Sequence, residues 1–359
     1  MVAYIGRLAV KEKRWLSEED FRQGVALCQA LPGATAMQCA AYVGLRARRL
    51  RGAITAYAGF GLLAFFLMLA LSIAYRRAAN LEAVTSRLAG LRGLAVSMVA
   101  FAAWEFGRSS LKGFREVLIA GLSAAVFSSG ASPPLAIIGA GLLGSVLLRG
   151  PAAPRRPEQI PKVGWKALRS PTLVLAFAII LAAGLFSLQS RLGTLGLIMM
   201  KVDIFAFGGG LASVPLLYRE IVGTRSWMTV NTFMDGIALG QVTPGPVVIT
   251  ATFIGFLVEG IPGALVGTVC IFLPSLFMIL VAEPWFLRYQ HSPVWQGVTR
   301  GLTLSFVGLL ASVTVQFARA ASWNVPSAAI AALALAALLG KVNVVWVVLG
   351  GAAASAVLL

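Results

Sequence analysis

Three interruptions in long apolar stretches are the places in this sequence best suited to chemistry. They are Leu31-Pro32-Gly33 within 19–45, Gly208-Gly209-Gly210 within 195–222, and Pro244-Gly245-Pro246 within 229–258. Glycine lets another group approach the backbone closely, and proline in the first turn of a helix removes no hydrogen bond that the helix needs. A helix that resumes after such a break presents free N–H groups and the positive end of its dipole, which favour an anion. Gln29, Thr35, Gln241, Thr243 and Ser213 add neutral polar groups beside the breaks. A tetrahedral oxyanion suits that set. A single Pro-Gly more often only kinks a helix, but interruptions at matching positions of two related halves point to a transport site at the membrane midplane.

Charge inside apolar segments is the second signal. Lys201 and Asp203 interrupt 197–207, Asp235 lies within 229–239, and Glu105 follows Trp104. Such groups either relay protons or are structural, Lys201 pairing with Asp203 and Glu105 marking a helix end near Arg108. Arg92 and Arg300 begin helices, where arginine attracts an anion or, more commonly, snorkels to the interface. Arg219 with Glu220 reads as an entry for anions or as a loop ion pair. Tryptophans and tyrosines are expected as interface anchors, and Gly263 with Gly267 as a close helix contact. One histidine, His291, and three scattered cysteines, Cys28, Cys39 and Cys270, form neither a zinc site nor a disulfide framework at any recognised spacing. No metal and no cofactor are expected. Without a Gly-rich run ending in Gly-Lys-Ser/Thr, an HExxH or a GxSxG, the chain reads as neither an ATP-driven pump nor one of the commoner hydrolases, and not as an enzyme.

The elements that must position these residues are membrane helices. The chain has 359 residues, 58% hydrophobic and 12% charged, with mean hydropathy +0.86; soluble domains carry about 25% charged residues. The net charge of +17 sits in short clusters between apolar runs, which is a topology signal and not a nucleic-acid surface. Uninterrupted runs predict spans at 52–75, 94–106, 117–128, 134–148, 172–188, 263–281, 297–317, 325–339 and 342–358. The stretch 149–169, with six basic residues and four prolines, is a linker that the positive-inside rule places in the cytoplasm, together with Arg46, Arg48, Arg49 and Arg51. Four spans between them satisfy both assignments, and Ser132-Pro133 then falls outside.

The chain also repeats itself. Trp15 aligns with Trp227, Phe21 with Phe233, Gln29 with Gln241 and Pro32-Gly33 with Pro244-Gly245; Gly44 then meets Gly255, Gly52 meets Gly263 and Arg92 meets Arg300. Equivalent loops differ in charge: Arg46 to Arg51 in one half, only Glu259 in the other. This predicts an inverted repeat with the segment 172–188 as the odd helix. Inversion leaves one basic loop outside, either that of Lys11, Lys13 and Arg14 or that of Arg219 and Arg225, so whether the broken segments cross or re-enter is open. The expected fold is an all-α polytopic membrane protein with two homologous helical halves whose broken helices meet near the midplane. Its parts are a first repeat at 1–149, a cytoplasmic linker at 150–170, an extra helix at 171–190 and a second repeat at 191–359. Met1 aligns with Ser213, which leaves 195–212 without a counterpart and suggests that the first repeat begins late.

At Phe207-Gly208-Gly209-Gly210, Pro215-Leu216-Leu217, Trp227, Phe233, Gln241-Val242-Thr243-Pro244-Gly245-Pro246 and Phe272-Leu273-Pro274-Ser275, the sequence resembles the chromate ion transporter family in its long, two-domain form. The first half keeps Trp15 and Leu31-Pro32-Gly33-Ala34, lacks a first Phe-Gly-Gly-Pro, and has Gly61-Leu62-Leu63-Ala64 where Pro-Ser is expected. The resemblance implies a multi-pass carrier of the inner (cytoplasmic) membrane that exports chromate and confers chromate resistance, discussed as a proton-linked antiporter with sulfate as a competing analogue. Gly208, Gly209, Gly210, Gln241, Thr243, Pro244, Gly245, Gln29, Pro32 and Gly33 are the expected site formers, with Asp203 and Asp235 as coupling candidates. The expected partners are chromate or sulfate, the lipid bilayer and a second copy in a homodimer, without nucleic acid. The alternatives are a carrier for sulfate or another oxyanion, and a truncated, non-transporting membrane protein.

Overall fold

The computed structural model describes residues 1–78, 82–148, 165–187, 190–243, 245–289 and 292–358; most of the linker, Pro244 and His291 lie outside them. Among the described residues every regular element is helical: α1 Val2–Gly6, α2 Glu18–Ala30, α3 Thr35–Ala78, α4 Glu82–Ser110, α5 Phe114–Ser128, α6 Pro133–Leu147, α7 Trp165–Ser187, α8 Arg191–Phe205, α9 Ser213–Leu217, α10 Val230–Val242, α11 Thr250–Tyr289, α12 Pro293–Ala320, α13 Val325–Leu339 and α14 Val344–Leu358. Local chemistry sets several starts. The Ser17 hydroxyl accepts the Asp20 N–H to cap α2, the Thr229 hydroxyl accepts the Thr232 N–H to cap α10, and Asn324 with Ser327 forms a capping box on α13.

The broken segments are hairpins that turn back at the break. Along one straight helix, residues 20 and 42 would lie about 33 Å apart. The Tyr42 hydroxyl instead donates to the Asp20 carbonyl at 3.3 Å, so α2 and the first arm of α3 run antiparallel. In α10 and α11, a β-carbon at Gly236 would lie 2.5 Å from the Phe253 ring, the same arrangement. Lys201 and Glu220, on either side of the Gly208 to Gly210 break, meet at 2.7 Å. All three broken segments therefore fold back on themselves as hairpins.

α3 and α11 each reverse once more. Arg48 and Arg49 have φ/ψ of −141/31 and 53/−146, and Glu259 and Gly260 have −140/27 and 62/−146. Beyond each reversal the arms press together at glycine, Gly44 against Gly52 and Gly255 against Gly263, with no room for a β-carbon. Gly267 completes the second contact against Ala251, so the Gly263–Gly267 spacing serves α11's own first arm. The shared detail extends to the loops: Arg14 and Ser226 have φ 52 and 51, and the Trp15 and Trp227 N–H groups reach back to the Ala9 and Ile221 carbonyls at 2.8 and 2.9 Å.

The rest is apolar helical scaffold. On α6, Leu135, Leu142 and Val146 are 63%, 64% and 66% exposed along one stripe, while Ala136, Ala140 and Gly144 are buried. Gly144 lies against the backbones of Gly297 and Gly301 of α12. An apolar stripe exposed on one side and a glycine seam on the other suit a helix between lipid and protein. Thr35–Ala78, Val247–Phe286 and Pro293–Ala320 are long and apolar enough to cross a bilayer, the first two including their reversals. The protein is an all-α polytopic membrane protein.

Candidate functional site

The three breaks converge. α8 ends at Phe205, and the chain beyond it crosses the α2–α3 break as a two-stranded contact: Pro32 pairs antiparallel with Phe207, and the Gly33 N–H donates to the Ala206 carbonyl at 2.9 Å. A β-carbon on Gly209 would lie 3.5 Å from the Thr35 hydroxyl, and one on Gly210 would lie 3.5 Å from the Val247 nitrogen. The Gly208 to Gly210 segment thus touches the starts of both helices that resume after the other breaks. Gly245 belongs to the third break, where its N–H reaches the Thr243 carbonyl at 2.8 Å, and its α-carbon faces Ala64 of α3.

Gly33 explains why only glycine serves there. Its φ is 106°, in the region L side chains rarely adopt, and a β-carbon would run into the Ser275 hydroxyl and lie 2.9 Å from Asp203 Oδ1. Asp203 is fully buried. Its Oδ2 accepts the Ser275 N–H at 2.6 Å and the Ser275 hydroxyl, while Oδ1 has no partner. Pro274, which has no N–H of its own, sits inside α11 immediately before this amide. The contacts are reciprocal between halves. Gly33 of the first break meets Ser275 on the second arm of α11, and Gly245 of the third break meets Ala64 on the second arm of α3.

Other polar groups complete the centre. Gln38, fully buried one turn into α3, donates to the Pro32 carbonyl at 2.6 Å and leaves its Oε1 unpartnered. Gln241 Nε2 is buried and unpartnered at the end of α10. The hydroxyls of Thr243 and Ser213 are turned back to the carbonyls of Gly240 and Gly210, at 2.8 and 2.6 Å. Gln29 is exposed and lines a separate cavity. The structure brings together Pro32, Gly33, Gly208, Gly209, Gly210, Asp203 and Gly245, while Pro244 lies outside the described residues. Among the described residues no group of His, Cys, Asp and Glu could hold a metal ion.

Three charged residues behave differently from expectation. Lys201 does not pair with Asp203: it meets Glu220, which Arg225 also holds at 2.5 Å. Arg219 is not in that pair and donates to the Gly130 carbonyl. Arg92 does not snorkel. Its Nε and Nη2 hold Asp235 at 3.0 and 3.1 Å, and the Tyr75 hydroxyl adds a bond at 2.9 Å. Tyr57 is likewise internal, donating to the Phe272 carbonyl at 2.7 Å, whereas Trp15, Trp104 and Trp346 are exposed as anchors should be. Sequence reasoning also passed over Ser275 and Gln38 as site residues; a Pro-Ser step and a lone amide in apolar helices are the signals that mark them.

A family model described as Chromate transporter matches residues 1–145 and 193–356. The chain is 36% identical to an uncharacterized transporter of Methanocaldococcus jannaschii, covering 97% of this chain and 87% of that protein. It is 30% identical to the chromate transport protein of Cupriavidus metallidurans, over 94% and 82% of the two chains, and 28% identical to the chromate transport protein of Pseudomonas aeruginosa, over 96% and 84%. No solved structure matches it.

Proposed function

Because the chain belongs to the chromate transporter family, we propose that it exports chromate across the cytoplasmic membrane as a secondary active, proton-linked carrier, and so confers chromate resistance. Family membership makes it a transport protein and not an enzyme. The observation that carries the reading is the meeting of three hairpin breaks near three buried, unpartnered polar atoms, Asp203 Oδ1, Gln38 Oε1 and Gln241 Nε2. A dry site with unpaired polar atoms is costly unless a ligand or water pairs them. The starts of α3 and α11 supply N–H groups and dipole for an oxyanion, Gln241 an amide donor, and Gly33, Gly209 and Gly210 the close approach.

The hairpins also support an inverted relation of the halves. Folding back puts Lys11, Lys13 and Arg14 at the same end as Arg46 to Arg51, the cytoplasmic end by the positive-inside rule. In the second half, Arg219 and Arg225 share an end with Glu259, and Arg219 bonds to the α5–α6 turn, which falls outside in the same scheme. The reciprocal contacts Gly33–Ser275 and Gly245–Ala64 support that reading, since a two-fold relation between repeats pairs residues in this way.

The test is radiolabelled chromate uptake into inside-out vesicles, with and without a pH gradient and with excess sulfate. Gradient-dependent uptake supports the reading, and the sulfate arm reads selectivity. Gln241→Ala is expected to cut the maximal rate about tenfold or more, the loss of one buried hydrogen bond to a charged ligand, with membrane insertion unchanged. A fully active Gln241→Ala protein removes that amide from the site.

A further inference from the structure

A cavity of about 350 Å³ lies between the end of α2, the α4–α5 turn and the start of α12. Its wall carries two cations, Arg300 and Lys112, one carboxylate, Glu116, and the amide of Gln29. Neither cation has a hydrogen-bond or ion-pair partner among the described residues. The hydroxyls of Thr299 and Thr303 in the same wall are committed to carbonyls of their own helix, so the free donors are the two cations and the amide. Two positive groups against one negative leave the wall net positive, which selects an anion.

The other half shows what a closed version looks like. Arg92 aligns with Arg300 but is neutralised by Asp235, whose carboxylate also accepts the Tyr75 hydroxyl. Within two turns of it on the same helix, Leu94 and Met98 are buried with Ile330 and Val348, and Val242 of α10 packs against this cluster. The repeat partner of Asp235 is Gln23, so no internal carboxylate answers Arg300. Arg300 and Lys112 are both exposed and carry no partner among the described residues, so an anion entering the cavity from solvent meets both.

Position says what that anion is doing. Gln29 and Ala30 in the wall are the last residues of α2, immediately before the Leu31-Pro32-Gly33 break. The cavity lies at the end of the fold where α6 finishes, since Arg115 at the start of α5 donates to the Leu147 carbonyl at 3.1 Å. The basic sequence that follows α6 assigns this end to the cytoplasm. We propose that the cavity is a cytoplasmic loading vestibule, a second and weaker anion site in which Arg300 and Lys112 hold a tetrahedral inorganic dianion before it passes Gln29 to the breaks. This rests on the transporter reading above. Arginine suits it because its planar fork pairs two oxygens at once, and Glu116 opposes tight binding, so the ion is captured and released inward.

The experiment compares wild type, Arg300→Gln, Arg300→Lys and Glu116→Gln by chromate uptake into inside-out vesicles and by radiolabelled sulfate binding to the full chain purified in detergent. Arg300→Gln is expected to raise KM about tenfold, the loss of one charge-assisted contact, with the maximal rate within about twofold of wild type. Arg300→Lys recovers part of the affinity, and Glu116→Gln lowers KM. An unchanged KM in Arg300→Gln, or a fallen maximal rate with KM unchanged, overturns the vestibule while leaving the carrier intact. If wild type takes up no chromate, the transport reading fails, and sulfate binding decides the cavity alone. Binding lost in an Arg300→Gln, Lys112→Gln double variant upholds an anion site there, and binding equal to wild type overturns it.

Discussion

Asp235 was a candidate for proton coupling from sequence, and its surroundings make a sharp prediction about what it does instead. Both of its oxygens are engaged: two bonds from Arg92 and one from Tyr75, with the carboxylate fully buried and the arginine side chain 16% exposed. Removing one member of a buried ion pair leaves the other charge uncompensated and costs about 3–5 kcal/mol, whereas replacing both by apolar groups of similar volume is often neutral or stabilising. Asp235→Asn and Arg92→Met should therefore each destabilise by about 3–5 kcal/mol. The combined Arg92→Met, Asp235→Leu, Tyr75→Phe variant, which also removes the hydroxyl that would be stranded, should return to within about 2 kcal/mol of wild type. Unfolding in detergent monitored by far-ultraviolet circular dichroism measures the cycle, and vesicle uptake measures function. Single losses below about 1 kcal/mol, the size of a surface pair, would refute the energetic argument. A folded triple variant that no longer transports would refute the structural role and return Asp235 to the proton path.

Three further outcomes are expected. Gly33→Ala should abolish most uptake, because it adds about 1–3 kcal/mol of backbone strain and drives a methyl group into Ser275 and toward Asp203; wild-type uptake in that variant would show that the break is not the site. Gly52→Val should lower the unfolding temperature by wedging apart the arms at Gly44, an overpacking cost of about 1–3 kcal/mol, while Gly59→Ala, with open space around it, should leave it unchanged; equal temperatures would contradict the hairpin contact. Asp203→Asn keeps an acceptor for the Ser275 N–H and removes the ionisable group, so uptake should survive and lose its dependence on pH; an unaltered pH profile would exclude Asp203 from coupling.

What was legible in the sequence follows from range. The breaks could be read because proline and glycine act on their own backbone, and the repeat because Trp15, Gln29 and Pro32-Gly33 recur in register. The hairpins could not, since an apolar hairpin and an apolar span have the same hydropathy, and only contacts between arms such as Tyr42–Asp20 and Lys201–Glu220 separate them. Arg92 read as a snorkelling arginine because its partner is 143 residues away. The Lys201–Asp203 pairing was avoidable: residues two apart on a helix do not face each other, whereas Lys201 meets Glu220 across the hairpin. Gln29 and Gln241 are the same residue type at equivalent positions, yet one lines an open cavity and the other ends in a buried, unpaired amide. That difference belongs to packing: α4 packs on α10, whereas an open cavity separates the end of α2 from α12.

The magnitudes at the breaks bear on how protons enter the cycle. A dianion leaving a cell whose interior is negative gains about 2.3 kcal/mol per charge per 100 mV, about 4.6 kcal/mol in all, so export has a driving force before any proton moves. An ionised Asp203 opposes this. At about 4 Å and an effective dielectric of about 20, a single negative charge repels a dianion by about 8 kcal/mol, more than the potential supplies. In the proposed cycle the anion shares the breaks with Asp203 only when the carboxyl is protonated, or else it occupies the Thr35, Gly209 and Gln241 side, away from Oδ1. The first arrangement carries the proton outward with the anion and halves the electrical drive; the second lets proton and anion alternate, as exchange requires. Charge moved per chromate, read from the voltage dependence of vesicle uptake, is two in the absence of a co-transported proton and one in its presence, and exchange for a proton raises it to three.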